Sequence, residues 1–478
     1  MPTKSMLNFV SVDREMPEKR PVLTRSKDFY EIYAEFAREK AEEQASRCSQ
    51  CGVPYCQTHC PLHNNIPDWL MLTAAGRLEE AYEISQETNT FPEICGRICP
   101  QDRLCEGNCV IENAGHGTVT IGAVEKYVTD TAWEEGWVKP IKPPVELDYT
   151  VGIIGAGPGG MAAGDRLRRS GVQVTIYDRY DRAGGLLTYG IPSFKLEKDV
   201  VNKRNLQLIE GGISLKLNCN VGKDISFAEL QKKHHALIIA TGVYKIRDID
   251  LPGSELRGVV QALEYLTASN RVNFGDQVNE FVNGELNAKD KSVVVVGGGD
   301  TAMDCVRTAI RQGAKSVKCM YRRDRANMPG SQREVKNAEE EGVIFEWLSA
   351  PKGFFEKNPG MKTTNSTGNF PSVGGVSAVK MRLGSPDVTG RRVPEVIEGS
   401  NYMEEADMVI KALGFEPEDL PNLFDQPELP VTRWGTIKAE FETGRTSLQN
   451  VYALGDIVRG ASLVVWALRD GRDTADAI

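Results

Sequence analysis

Eight of the eleven cysteines lie in two short stretches, at spacings typical of metal-cofactor ligands. The first stretch is CSQCGVPYCQTHCP and contains Cys48-x2-Cys51-x4-Cys56-x3-Cys60-Pro61. The second is CGRICPQDRLCEGNC and contains Cys95, Cys99, Cys105 and Cys109. In a reducing compartment, such crowding favours metal or iron–sulfur sites over disulfides.

The spacing favours iron–sulfur clusters over zinc. Structural zinc sites pair two short cysteine knuckles, and only one Cys-x2-Cys occurs here. A run ending in Cys-x3-Cys-Pro resembles the ferredoxin pattern, in which the last cysteine ligates the other cluster. The pattern therefore predicts two 4Fe–4S clusters, the first held by Cys48, Cys51, Cys56 and Cys109 and the second by Cys60, Cys99 and Cys105. The last ligand of the second cluster stays open between Cys95 and Glu125.

A dinucleotide-binding pattern begins at Val151. A short apolar strand leads into Gly155, Gly157 and Gly160, spaced as G-x-G-x-x-G, and a helix and a second strand ending in Asp178 follow. These glycines allow a tight turn, close approach of a pyrophosphate and close packing of helix on strand. An acid roughly 20 positions after the first glycine binds ribose hydroxyls. The pattern predicts a dinucleotide site, which we assign to FAD because a second such unit follows.

The second unit starts at Ser292 and carries basic residues where the first carries its acid. Its G-x-G-x-x-A loop and strand end supply Gly297, Gly299, Asp300, Thr301, Ala302, Arg322 and Arg323. An acid would repel a 2′-phosphate, whereas arginines form charge-assisted bonds to it. The second unit is therefore predicted to bind NADPH.

Further residues are predicted to contact the flavin nucleotide. Paired glycines before Leu186 would let the backbone lie against a flat ring. Small residues after the strand at 237–240 suit close approach of a nucleotide, and an Asp between a strand and a helix can bond its hydroxyls. These residues are Gly185, Leu186, Thr241, Gly242, Gly455 and Asp456.

The elements that position these residues fall into three parts. Helical periodicity predicts helices at 29–47, 66–75, 78–88 and 120–136, and a proline-rich linker at 139–148. Residues 351–375 are predicted to form a flexible loop. The fold class is α/β, with a helical iron–sulfur domain (1–145) before two Rossmann-like domains. The FAD domain (146–255 and 415–478) is split by an inserted NADPH domain (256–414).

Composition limits the function classes. The 478 residues carry a net charge of −9, which disfavours nucleic acid as the main partner. No apolar run approaches the roughly 18 residues of a membrane span, and the N-terminus lacks the apolar core of a signal peptide. We therefore expect a cytoplasmic protein without a membrane partner.

The motifs resemble those of the small (β) subunit of bacterial NADPH-dependent glutamate synthases. The resemblance covers essentially the whole chain. The resemblance rests on the motifs CSQCGVPYCQTHCP, PEICGRICPQDRLCEGNC, GGLLTYGIPSFKLEK, GGGDTAMDCVRTAIRQGA, YRRDRANMPGSQREV and GDIVRGASLVVWA. It implies FAD in the first unit, NADPH in the second and two 4Fe–4S clusters. The related N-terminal half of dihydropyrimidine dehydrogenase has a side-chain amide at the place that aligns with Glu125, which supports Glu125 over Cys95 by analogy.

The resemblance implies an electron-input role. NADPH would pass a hydride to FAD, and single electrons would leave through the clusters to a large (α) subunit that carries FMN and makes glutamate from glutamine and 2-oxoglutarate. No catalytic side chain is predicted, since the cofactors supply the chemistry. One alternative is a stand-alone or ferredoxin-coupled NADPH oxidoreductase. Another is a non-catalytic assembly module with zinc in the cysteine domain.

Overall fold

The N-terminal part of the chain is helical. The computed structural model describes residues 6–357, 371–387 and 392–478. The helices of this part are α1 (Val22–Arg25), α2 (Arg38–Ala45), α3 (Tyr55–Thr58), α4 (Ile66–Ala74), α5 (Leu78–Thr88), α6 (Pro92–Ile98), α7 (Val110–Asn113) and α8 (Ile121–Glu134). In α8, Ile121, Val124, Val128 and Ala132 recur at helical spacing and are buried in one core. Helices α4, α5 and α8 confirm the predictions made for those segments.

The helix predicted over 29–47 is wrong for its first half, since α2 begins only at Arg38. Residues before it are extended and pair with the N-terminal arm: Arg20 N donates to Ile32 O at 2.9 Å, and Ala34 N donates to Glu18 O at 2.8 Å. Ile32 is buried from this extended segment. Tertiary pairing therefore overrides the local helical periodicity.

The first nucleotide-binding unit is built on a five-stranded parallel sheet. Its first elements are β1 (Thr150–Ile154), α9 (Pro158–Arg169), β2 (Gln173–Tyr177), α10 (Leu186–Tyr189), α11 (Lys198–Glu210), β3 (Ser214–Lys216), α12 (Phe227–Lys233), β4 (Ala236–Ile239) and β5 (Lys245–Ile246). Strand β1 is buried along Val151–Ile154 because it lies between β2 and β4. Such a central parallel strand is covered on both faces and is therefore continuously apolar.

The second unit also contains a five-stranded parallel sheet. Its elements are β6 (Val259–Gln261), α13 (Ala262–Asn273), α14 (Asn279–Val282), β7 (Ser292–Val296), α15 (Asp300–Arg311), β8 (Ser316–Tyr321), α16 (Gln332–Glu340), β9 (Ile344–Trp347), β10 (Ser349–Glu356), β11 (Val373–Pro386), β12 (Arg392–Glu405) and β13 (Met408–Lys411). The sheet order is β6-β13-β7-β8-β9, with β7 central.

An antiparallel ribbon formed by β10, β11 and β12 extends the second unit. The predicted loop at 351–375 is therefore wrong at both ends, because β10 continues to Glu356 and β11 starts at Val373. The middle of that predicted loop, 358–370, lies outside the described residues. Pairing between strands, rather than local turn composition, determines the structure on either side.

The chain returns to the first sheet after completing the second. The last elements are β14 (Phe415–Glu416), α17 (Leu420–Leu423), β15 (Val451–Ala453), α18 (Asp456–Arg459) and α19 (Val464–Ala477). Strand β15 pairs with β4, so the first sheet has the order β15-β4-β1-β2-β3. This topology confirms the predicted fold class, with one nucleotide-binding unit inserted into the other. The domain boundaries predicted from the sequence, 1–145, 146–255 with 415–478, and 256–414, stay predictions.

Within 6–357, 371–387 and 392–478, no helix combines the length and the apolar character needed to cross a membrane.

Candidate functional site

A cavity opens at the carboxyl edge of the first sheet, and we call it the nucleotide cavity. Among its lining residues are Gly155, Gly157, Asp178, Leu186, Thr241, Gly242, Gly455 and Asp456. All were predicted to contact FAD, and they come from segments as far apart in sequence as β1 and β15. The crevice outside the carboxyl ends of parallel strands is where such sheets bind ligands.

Two glycines of the first loop have different environments. Gly157 caps the N-terminus of α9, and a Cβ built there meets no atom within 4 Å. A Cβ on Gly160 would stand 2.0 Å from Gly155 O, so this glycine is required for packing. The open space at Gly157, beside the N–H groups of a helix N-terminus, fits a pyrophosphate. Gly160 and Gly185 are not among the residues that line the cavity.

Two of the carboxylates that line the nucleotide cavity, Asp178 and Asp456, were predicted to contact FAD. Asp178 accepts hydrogen bonds from Ala156 N at 2.6 Å and from Tyr180 N at 2.8 Å, and burial raises its pKa. It therefore fixes the glycine loop. Burial also raises the pKa of Asp456 to about 6, and Ser462 Oγ donates to this carboxylate at 2.7 Å.

A second cavity lies where the three parts of the chain meet, and we call it the junction cavity. The helical part contributes Cys95 and Cys99, the first unit Leu186 and 462–465, and the second unit Asp300, Thr301 and Asp304. Leu186 and 462–464 also line the nucleotide cavity. A ligand in the nucleotide cavity thus borders the same space as the second dinucleotide loop and the second cysteine group.

The second dinucleotide loop lies between β7 and α15. Gly299 caps α15, and a Cβ there would meet open space, as at Gly157. Gly297 has φ 152° and precedes the turn. Ala302 is fully buried in the core of the second unit and supports the loop. Asp300 and Thr301 are the predicted residues of this loop that line the junction cavity.

The two arginines after β8 have different surroundings. Arg322 is exposed. Arg323 is only 7% exposed, and its Nε donates to the carbonyl oxygen of Arg392 at 3.0 Å. Arg323 thus anchors strand β12, whereas Arg322 is an exposed residue just after β8.

The predicted ligands of the second cluster line a third cavity, which we call the cysteine cavity. It contains Cys60, Cys95, Cys99, Cys105 and Glu125. Burial, with smaller contributions from Cys95 and Glu125, raises the pKa of the Cys60 thiol to about 11. Cys95 and Cys99 also line the junction cavity, so the two cavities share a wall.

The predicted ligands of the first cluster form a separate group. Burial raises the pKa of Cys56 to about 12, with further contributions from Cys48, Cys109 and Cys51. Within the described residues, no three His, Cys, Asp or Glu side chains are arranged as ligands of one metal ion. In a 4Fe–4S cluster each cysteine binds a different iron, so the residues fit a cluster when they offer thiol donors that lie near one another. The cysteines of the first group influence one another's pKa, and those of the second line one cavity, so both groups fit.

Glu125 and Cys95, the two candidates for the last ligand of the second cluster, differ in their surroundings. Glu125 is 9% exposed, accepts from Asn89 Nδ2 at 3.1 Å, and forms no ion pair within the described part of the chain. Burial raises its pKa to about 8. Cys95 Sγ donates to Asn89 Oδ1 at 3.6 Å. A buried carboxylate is costly unless it is paired or coordinates a metal, which favours Glu125 as the iron ligand.

Sequence reasoning missed an ion pair between the two nucleotide-binding units. Lys195 Nζ, from the segment between α10 and α11, lies 2.8 Å from Asp304 Oδ1 on α15. Both residues line the junction cavity. Lys195 lies in the motif GGLLTYGIPSFKLEK, so a signal was present, but a lysine in that motif does not reveal its partner.

A helical cysteine domain joined to two dinucleotide folds that share one cavity defines a flavin and iron–sulfur oxidoreductase that uses a pyridine nucleotide. Residues 25–137 match the family described as dihydropyrimidine dehydrogenase domain II, 4Fe-4S cluster. Residues 149–471 match the pyridine nucleotide-disulphide oxidoreductase family.

The chain belongs to the glutamate synthase small-chain family. It is 63% identical to the glutamate synthase [NADPH] small chain of Azospirillum brasilense, covering 100% of this chain and 96% of that protein. It is 45% identical to the putative oxidoreductase AegA of Escherichia coli, covering 97% of this chain and 69% of that protein. The structure of Mycobacterium tuberculosis FprA in complex with NADPH shares the fold, with a TM-score of 0.55 and 18% identity over 70% of this chain and 84% of FprA.

The space at Gly157 gives a direct test of the nucleotide cavity. Gly157→Val should leave the fold intact and lower FAD affinity by about 10- to 100-fold, because forcing methyl groups into an occupied space costs about 1–3 kcal/mol. The measurement is FAD content and Kd after reconstitution, with circular dichroism to check folding. Gly299→Val is the matched control at the second loop and should leave FAD content unchanged. Normal FAD affinity in Gly157→Val would show that the pyrophosphate lies elsewhere.

Proposed function

We propose that this chain is the electron-input subunit of a glutamate synthase and works with a large subunit that carries FMN. The observation that supports this most strongly is the continuity of the three cavities. Leu186 and 462–464 join the nucleotide cavity to the junction cavity, and Cys95 and Cys99 join the junction cavity to the cysteine cavity. This arrangement suits entry of electrons at a nicotinamide and exit at the cysteine domain.

The residues of this chain hold and orient the cofactors. The first loop, with Gly157 and Asp178, would hold FAD, and the second loop, with Gly299 and Thr301, would hold NADPH. Cys48, Cys51, Cys56 and Cys109 would hold one 4Fe–4S cluster, and Cys60, Cys99, Cys105 and Glu125 a second one. When bound, the flavin supplies exchange between hydride and single-electron transfer, and the clusters supply single-electron transfer. We assign no acid–base residue to this chemistry.

The test is whether glutamate formation requires the large subunit. We expect the purified chain to oxidise NADPH with an artificial one-electron acceptor and to form no glutamate from glutamine, 2-oxoglutarate and NADPH. Addition of the separately purified large subunit should produce glutamate. Glutamate formation by the chain alone would refute the proposal. A colourless protein that contains zinc would instead favour the assembly module.

A second candidate function is a stand-alone or ferredoxin-coupled NADPH oxidoreductase. The similarity to AegA supports keeping it, because that relative covers almost all of this chain and carries an oxidoreductase name. Steady-state turnover with ferredoxin at a rate equal to that of the complex, and no change when the large subunit is added, would favour this candidate.

The exposed position of Arg322 supports a role in recognising the 2′-phosphate of NADPH. Arg322→Gln should lower kcat/KM for NADPH by about 10- to 100-fold, since a hydrogen bond to a charged group contributes about 1.5–3 kcal/mol. The value for NADH should not change. Arg325→Gln is the matched control, because Arg325 pairs with Glu339 at 2.8 Å. An equal loss for NADH and NADPH would contradict this role.

Glu125 is buried and forms no ion pair with any residue that the structure describes, which supports its assignment to the second cluster. Glu125→Ala should remove up to half of the iron and sulfide per chain, because the second cluster would keep only three protein ligands and one iron would have no protein donor. Glu125→Gln keeps an oxygen donor and should retain the cluster with an altered EPR signal. Cys95→Ser should retain both clusters. Full iron content in Glu125→Ala, together with loss in Cys95→Ser, would assign the position to Cys95.

A further inference from the structure

The loop between Cys99 and Cys105 is held by the second nucleotide-binding unit. Arg103 Nη1 donates to the carbonyl oxygen of Pro329 at 2.6 Å, and Arg103 lies 3.6 Å from Asp300. Ser331 Oγ donates to Asp102 Oδ1 at 3.4 Å. The segment that carries two predicted ligands of the second cluster therefore has its conformation set by a different domain.

Arg333, on α16 of the second unit, contacts the backbone of the predicted ligand Cys99 itself. Its Nη2 donates to Gln101 Oε1 at 2.6 Å and to the carbonyl oxygen of Cys99 at 3.3 Å. Gln101 is 1% exposed and donates through Nε2 to the carbonyl oxygens of Cys95 at 3.1 Å and Gly96 at 3.2 Å. A single guanidinium thus fixes both sides of the turn at Cys99, directly and through Gln101.

Arg333 lines the junction cavity, and its hydrogen-bond partner Gln101 lines the cysteine cavity. The charge of Arg333 therefore lies between the two cavities. Other charged groups near it are Glu106, Asp102 and Glu334. Glu106 is already engaged by Arg14 Nη2 at 3.0 Å and by Gly122 N at 3.0 Å. Arg333 thus places a positive charge in direct contact with the backbone of Cys99, a predicted cluster ligand.

We propose that Arg333 is a positioning residue for the second cluster, which raises the reduction potential of that cluster and holds the turn at Cys99. This inference rests on the proposed function. A reduced cluster carries one more negative charge than an oxidised one, so a nearby cation stabilises the reduced form. The arginine comes from the NADPH-binding unit, so the unit that receives the reductant also makes the cluster easier to reduce.

The experiment is an EPR-monitored potentiometric titration of the holoprotein. Arg333→Gln should make reduction of one cluster about tenfold less favourable, which is a fall of 59 mV for a one-electron couple. The midpoint of the other cluster should not change. Arg333→Lys keeps the charge but cannot bond both acceptors in the same way, so we expect a smaller fall. Lys336→Gln removes an exposed charge from the same helix and should leave both midpoints unchanged.

The outcomes separate this inference from the proposed function. Full iron and flavin content with an unchanged midpoint in Arg333→Gln would overturn the role of Arg333 and leave the proposed function intact. Equal falls for both clusters, or for Lys336→Gln, would also overturn it. If Arg333→Gln does not retain the cluster, Arg333→Met, which also removes the charge but keeps a long side chain, decides: an unchanged midpoint in that variant refutes the inference. Wild-type protein that lacks flavin and iron would instead refute the proposed function.

Discussion

A buried ion pair holds the cysteine domain against the first nucleotide-binding unit. Glu93, on α6, binds Arg204, on α11, through two hydrogen bonds of 2.8 and 2.9 Å, and the exposed fractions of their side chains are 0% and 1%. Removing one partner of such a pair costs about 3–5 kcal/mol, because the other charge stays buried. Helix α6 also carries Cys95 and leads directly to Cys99. The pair therefore fixes the helix that carries Cys95, in the wall shared by the cysteine and junction cavities, against the first nucleotide-binding unit.

The same requirement for a fixed arrangement explains why the second unit is inserted rather than appended. The chain leaves the first sheet after β4 and returns to it at β15, so both ends of the insertion are tied to one sheet. Lys195 and Asp304 then pair across the two units beside the junction cavity. Dinucleotides bound to these units would border a common set of residues, because Leu186 and 462–464 line both the nucleotide cavity and the junction cavity.

Much of this organisation could be predicted from the sequence, because it rests on local patterns. Glycine loops between a strand and a helix identify both nucleotide units, and cysteine spacing separates the two ligand groups. The extended segment around Ile32 and the β10–β12 ribbon could not be predicted, because their conformations depend on strand partners distant in sequence. Strand β12 is mostly exposed and so carries no clear apolar alternation.

The different surroundings of Arg322 and Arg323 also could not be predicted from the sequence. Neighbouring side chains at a strand end point to opposite sides, and sequence alone does not tell which side faces the cofactor.

The charged residues at the junction cavity could not be paired from the sequence either, and the structure shows that their charges are fixed. Although burial opposes ionisation, Arg307 and Lys195 hold the pKa of Glu334 at about 2, so this group keeps its charge across the physiological range. Fixed charges of this kind orient and stabilise bound cofactors without exchanging protons, which agrees with an enzyme whose cofactors supply the chemistry.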